Sequence, residues 1–272
     1  GLGTSPDGMV EHDGHVGELL DLLDELGLAE DTFVVYTTDN GAESFTWPDG
    51  GQTPFKGEKA TNWEGGFRSP CLMRWPGKIQ AGRLVNDIGA HMDFLPTFGA
   101  DAGDAGIVER AKMGGKIGDK SVKVHLDGHN LVPFLKGEEK ESPRRGFLYW
   151  SDDGDLLAIR VMNWKANFLE QHAEVGPVTP ISVWQGEFTK LRLPNLYNVR
   201  SDPFEEGPES VNYPDWLMKR VFLLLPAQMF VAEFIKTFEE FPPRAKSASF
   251  TVGDVMAGIQ KKHDQLAGAV QQ

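Results

Sequence analysis

Cysteine is nearly missing: the 272 residues contain one, Cys71. A single thiol excludes an intrachain disulfide and any cysteine-rich zinc site. Basic charge is also short. There are 27 Lys and Arg against 40 Asp and Glu, a formal net charge of −13. No basic run is longer than Arg144-Arg145. A chain this acidic repels nucleic acid and anionic membrane, so nucleic-acid binding is not expected. Long apolar runs are lacking too. The longest, around Val221 to Val231, is interrupted by Pro226 and is too short to span a bilayer. Residues 1–8 have neither the basic nor the apolar region of a signal peptide, and there is no initiator Met. The sequence therefore reads as starting within a longer protein.

What is present suffices for a sizeable core. Hydrophobic residues make up 40% of the chain, enough for one large domain or two unequal ones. Val16, Leu19, Leu20, Leu23 and Leu26 trace the stripe of an amphipathic helix over about Asp7 to Leu26, with Gly27 placed to stop it. The run Thr32 to Thr38 is apolar without alternation, which predicts a strand covered on both faces. Asp39 to Pro70 is rich in Gly, Pro, Asp, Asn and Thr and predicts a long loop region. A short strand at Cys71 to Trp75 and a helix at about Met92 to Ala100 follow, then a Gly-rich surface excursion over Ala102 to Lys120. Beyond Arg145 the pattern changes. Strands are predicted at Phe147–Trp150 and Leu156–Val161, joined by an Asp152-Asp153-Gly154 turn. Two more are expected at Trp164–Leu169 and Leu193–Val199, then one long helical segment from about Pro214 to Glu240 and a polar tail from Pro242 that could wrap back over the body. The expected organisation is an α/β part, 1–145, and a smaller α+β unit with tail, 146–272.

Thr37-Thr38-Asp39-Asn40-Gly41 is the strongest local feature. It sits at the carboxyl end of the predicted buried strand, where ligands of open α/β sheets bind. Asp39 and Asn40 offer a carboxylate and an amide oxygen, the hard donors that Ca²⁺ or Mg²⁺ select, and Gly41 allows the chain to turn. The plainer reading is an Asp-Asn-Gly turn whose side chains cap backbone groups. Lys59 lies among glycines in Pro54–Lys59, followed by Trp63–Arg68, and could hold a sulfate or phosphate oxygen. Its plainer reading is a surface lysine paired with Glu58 or Glu64. Thr61 and Glu64 also fit a helix capping box. His12 and His15 lie three apart, not the i, i+4 spacing of zinc proteases. His91 and Asp93 read as capping residues, and His125 and His129 flank a turn without an obvious partner.

The stretches TTDNGAE, PFKGEKATNWEGGFRSPCLMRWPG and NDIGAHMDFLPTFGADAG resemble bacterial arylsulfatases of the type I sulfatase family. IRVMNWK, LYNVRSDPFEEGPE and FPPRAKSASF resemble the same family's C-terminal subdomain, in the right order. The resemblance covers nearly the whole chain and implies the C-terminal part of such an enzyme. It implies the alkaline phosphatase superfamily fold, a mixed sheet between helices with a small antiparallel C-terminal sheet plus helix. By the same resemblance Asp39 and Asn40 ligate Ca²⁺ and Lys59 contacts the sulfate. Ala60 stands where the family often has Gly. The implied reaction is hydrolysis of a sulfate monoester by a formylglycine hydrate. Relatives in the family are often periplasmic or secreted.

The formylglycine motif, Cys-x-Pro-Ser-Arg or Cys-x-Ala-x-Arg, is absent from the 272 residues. Cys71 is followed by Leu72-Met73-Arg74 and reads as a small buried hydrophobe in a strand. The nucleophile and the paired aspartates that complete the family's metal site are expected upstream of Gly1. The chain alone is therefore expected to be inactive and to self-associate through the surface left uncovered. Two alternatives stay open: a phosphate or phosphonate ester hydrolase of the same superfamily, and a non-catalytic half-protein that binds a cation or an anion.

Overall fold

The computed structural model describes residues 1–43, 50–117, 119–171 and 186–242. The chain opens with helix α1, Thr4–Glu25. Gly27, at φ 67°, ends it in a Schellman turn: the Leu28 amide donates to Leu23 O at 2.9 Å and the Gly27 amide to Asp24 O at 3.1 Å. No residue of α1 is buried, and Leu19, Leu22 and Leu26 stay 64%, 47% and 60% exposed. The helix touches the sheet that follows through His12 Nε2 and Tyr36 OH at 3.1 Å and an Asp24–Arg74 pair at 3.5 Å.

Strand β1, Val34–Thr37, pairs antiparallel with β2, Cys71–Arg74, in the register Val34 to Arg74 through Thr37 to Cys71. The sequence predicted a strand covered on both faces. All four β1 residues are instead only half-buried, because among the described residues β2 is its sole neighbour in the sheet. Cys71, expected as a buried hydrophobe, is exposed at the start of β2. Between the strands runs the predicted loop region, broken by a single turn of helix, α2 (Glu64–Phe67). Helix α3 (Phe94–Asp101) follows, entered through a 3₁₀ turn, His91–Asp93.

The Gly-rich segment read as a surface excursion holds a helix, α4 (Ile107–Met113), and a hairpin of β3 (Gly115–Ile117) and β4 (Lys120–Val122). Short helix α5, Val132–Lys136, buries Phe134 and Leu135 with Leu131 beside Phe33, Met73 and Ile79. Arg144 joins these pieces. Its guanidinium clasps both oxygens of the fully buried Asp93 at 2.6 and 2.7 Å and donates to Asp127 O at 2.8 Å. Asp93 also accepts from the Ala90 and His129 amides, so its expected capping role holds and is widened. His125, expected without a partner, meets Asp127 at 3.0 Å.

A four-stranded antiparallel sheet occupies the C-terminal part: β5 (Gly146–Trp150), β6 (Leu156–Val161), β7 (Trp164–Gln171) and β8 (Phe188–Asn198), in that order. The register places Leu148, Ile159, Ala166 and Leu196 in one row across the strands. Strand side chains alternate between faces, and this row is the buried core under two helices, α6 (Tyr213–Met218) and α7 (Leu224–Glu240). Leu224, Ala227, Phe230, Val231 and Phe234 supply the helical stripe that covers it. The predicted single helix over Pro214–Glu240 is thus two, separated by a 3₁₀ turn at Val221–Leu223. Pro226 does not break α7, because it lies in the first turn, where the amide has no intrahelical acceptor. By length and composition alone, Val221–Glu240 could cross a membrane, with mean hydropathy 1.5. One side of it, with Ala227, Phe230, Val231 and Phe234, lies against the sheet, while Phe222, Leu225 and Met229 are exposed. Tyr213 ties α6 to the edge strand: its hydroxyl accepts from Leu196 N at 2.8 Å and donates to Leu196 O at 3.1 Å. The expected tail from Pro242, with most of the FPPRAKSASF segment, lies outside the described residues.

Candidate functional site

Chain reversal after β1 puts Asp39 and Asn40 in a tight turn. Asp39 Oδ1 accepts from the Asn40 amide at 3.0 Å, and Asn40 Nδ2 donates to Gly41 O at 2.8 Å. The turn is pinned to the lysine-bearing segment through main chain. The Gly41 amide donates to Gly66 O at 2.8 Å, and the Lys59 amide donates to Ala42 O at 3.1 Å. A Cβ on Gly41 would fall 1.6 Å from Gly65 O, and one on Gly65 would fall 2.3 Å from Gly57 O. Only glycines permit backbones this close. Ala60 adopts φ 68°, the left-handed region, at the place where the resemblance expects glycine.

Asp39, Asn40 and Lys59 consequently line one cleft of about 1390 Å³, with Thr37, Arg68 and His91. Lys59 is paired, but with neither Glu58 nor Glu64: its Nζ lies 2.8 Å from Glu43 Oε1. The hydrogen bond to Glu43 raises the ammonium above its ordinary value, partial loss of water opposes this, and the charges of Glu43 and Asp39 add to the rise. His91 Nε2 approaches Thr37 Oγ1 at 3.3 Å at the cleft wall. Cys71 also lines the cleft. Although the residue is exposed as a whole, partial loss of water around its thiol pushes its pKa up, with a hydrogen bond to Thr37 opposing, the opposite of an activated thiolate.

The capping-box reading of Thr61 and Glu64 fails. Thr61 Oγ1 accepts from the Glu58 amide and donates to Glu58 O instead. The Glu64 side chain is 1% exposed and enters a charge cluster on the C-terminal sheet, where Arg160 NH1 and Tyr149 OH each reach it at 3.1 Å. Lys165, fully buried, lies 3.5 Å from Glu64 and 2.7 Å from the fully buried Glu205. Burial pushes the Glu64 carboxyl up, but Lys165, Arg160 and Tyr149 outweigh it and hold the group below its ordinary value. For Glu205 burial prevails over Lys165, and the carboxyl rises. One buried ammonium between two carboxylates favours the one that has a second cation. The local sequence carried no signal of this cluster, since Glu64, the strand residues Tyr149, Arg160 and Lys165, and Glu205 come from three separate segments.

As a cation site the turn is right in kind and short in number. Asp39 and Asn40 present a carboxylate and an amide oxygen, hard donors suited to Ca²⁺. The described residues contain no group of three His, Cys, Asp or Glu side chains that could hold a metal ion. Two donors are below the roughly six to eight that Ca²⁺ takes. For a formylglycine the fit is negative: the one cysteine lies outside either form of the motif.

Comparison with known proteins bears on the family. Residues 3–103, which contain Asp39, Asn40 and Lys59, match the Sulfatase family model. Human steryl-sulfatase is 33% identical over 224 residues, spanning 76% of this chain and 36% of that protein. Human N-acetylgalactosamine-6-sulfatase is 35% identical over 229 residues, spanning 77% of this chain and 40% of that protein. The crystal structure of the PsFucS1 sulfatase from Pseudoalteromonas sp. superposes with a TM-score of 0.70 at 29% identity, covering 88% of this chain and 44% of that one. The chain thus spans well under half the length of these relatives. Within that span, the chain belongs to the sulfatase family, whose fold is that of the alkaline phosphatase superfamily.

Proposed function

We propose that this chain carries the cation- and sulfate-binding part of a sulfatase active site, and that the whole protein hydrolyses sulfate monoesters. The observation that carries the reading is the main-chain junction of the Asp39-Asn40 turn with the Lys59 segment, which delivers the three side chains to one cleft. In this reading Asp39 and Asn40 hold a Ca²⁺ together with donors from outside the 272 residues. The cation, when bound, supplies electrostatic stabilisation of charge on the sulfate. Lys59 donates to a sulfate oxygen. To do so its ammonium exchanges the Glu43 carboxylate for the oxyanion. The nucleophile comes from polypeptide outside these residues, so the chain alone turns over no ester. The division near residue 145 into a catalytic part and a smaller α+β unit belongs to the same proposal.

The test is binding by the purified chain, followed through its backbone amide resonances. Sodium sulfate, against chloride at matched ionic strength, is expected to move the signals around Lys59, and Ca²⁺ those of residues 39–41. Lys59→Ala abolishes the first response and Asp39→Ala the second. Aryl sulfate stays unhydrolysed. Silence at both segments sinks the reading, and tighter binding of phosphate than of sulfate turns it toward a phosphate-ester enzyme.

A further inference from the structure

The face of the C-terminal sheet opposite α6 and α7 is covered by the segment that bears Lys59. The register row Phe147, Arg160, Lys165 and Tyr197 meets it residue by residue. Phe147 packs edge-on to Phe67, Arg160 pairs with Glu64, Lys165 donates to Asn62 O at 2.7 Å, and Tyr197 packs edge-on to Trp63. Asn62 adds a bond from its amide nitrogen to Leu169 O at 2.8 Å. Lys165 is the hub: its ammonium also pairs with Glu205 at 2.7 Å and stands 4.5 Å from the Tyr149 ring centre. Glu205, itself at φ 53°, returns through its other oxygen to accept from the Glu64 amide at 2.7 Å.

Buried charges are a costly way to attach a segment, since desolvation offsets much of the attraction. The helix-covered face of the same sheet is closed by an apolar cluster and the Tyr213 hydroxyl. What the ion cluster adds is direction. An ammonium that must meet Asn62 O, Glu64 and Glu205 together admits one placement of 62–65 on the sheet, where apolar contacts would admit several. That placement is relayed by main chain: Gly65 N donates to Lys56 O at 2.8 Å, and Gly66 O receives the Gly41 amide. We infer that Lys165 is a positioning residue for oxyanion recognition, acting through Asn62, Glu64 and Glu205 to set where Lys59 stands beside the Asp39-Asn40 turn. This rests on the sulfate-binding role proposed for Lys59.

Lys165→Met alone strands the buried Glu205 carboxylate and is a poor test. The double variant Lys165→Met/Glu205→Gln removes one charge of each sign and leaves Glu64 with Arg160 and Tyr149. It is expected to keep parental amide exchange in β6, while amides of 57–66 exchange at least tenfold faster and sulfate affinity at Lys59 falls about tenfold or more. Parental values at 57–66 and for sulfate would reduce Lys165 to a packing role and overturn the inference. A second measurement needs no variant. In the parent chain under rising sub-denaturing urea, 61–66 and β7 are expected to open as one cooperative unit. Independent opening of 61–66 at lower urea also overturns it. If the parent chain does not respond to sulfate, the Lys59 role fails instead, and the exchange measurements still decide whether Lys165 fixes the segment.

Discussion

Ala60 sits at φ 68° directly after the lysine that lines the cleft. An L residue in this region is strained by about 1–2 kcal/mol. Glycine relieves the strain and gives back about 0.4–1 kcal/mol through the looser unfolded chain. Ala60→Gly is therefore expected to stabilise the chain by about 0.5–1 kcal/mol in urea denaturation, with Lys59 left in place. A loss of stability would show that the methyl group makes contacts that outweigh the strain. The same residue marks a limit of sequence reading. Its departure from glycine was visible as a mild change of side chain, but the cost lies in a backbone angle that no neighbouring residue announces. Lys59 illustrates a second limit. Its candidacy was legible from the glycines around it, whereas its counter-ion Glu43 lies sixteen positions upstream and is brought over by the Gly41–Gly66 junction.

Among the elements, α6 is held to the sheet by one hydroxyl doing two jobs. Tyr213 satisfies both the amide and the carbonyl of Leu196 on the outer side of β8, the edge strand. Tyr213→Phe leaves both groups without that partner at a buried position, a cost of roughly 1–3 kcal/mol. Thermal unfolding should show it; an unchanged midpoint would mean that water replaces the hydroxyl. The strands of this sheet were the most legible part of the sequence, because short apolar runs flank the Asp152-Asp153-Gly154 turn. Leu156–Val161 matches its prediction at both ends. The helical stretch after it was legible in kind but not in number, since an apolar run continuing through Val221–Leu223 does not register a change from α to 3₁₀ geometry. The ion cluster of Glu64, Lys165 and Glu205 was not legible at all. Each member, taken alone, has the local signature of a surface charge.

On the scale of the molecule, burial is uneven. The C-terminal sheet is packed on both faces, by helices on one side and by the Lys59 segment on the other. No residue of α1 is fully buried, and Leu19 and Leu22, with Leu26 just past its end, stay exposed beside a two-stranded sheet. Apolar surface of this kind costs free energy in water, and association of chains is one way to remove it. Sedimentation at rising concentration is expected to show association that Leu19→Glu with Leu22→Glu suppresses; monodisperse monomer at all concentrations would contradict it. Of the stripe read from the sequence, Val16, Leu20 and Leu23 are half-buried while Leu19 and Leu26 lie open, because periodicity shows which face is apolar and not how much of it is covered.

The glycine junction has a consequence for how such a protein changes over time. Gly41, Gly65 and Gly66 meet as bare backbone, and the step from the acidic turn to the lysine is measured in amides and carbonyls. Side chains around the cleft can drift, and with them the shape of what fits, without altering that step. The packing excludes a side chain at the seam and not along the walls, so a different substrate would be met by new walls around an unchanged ruler.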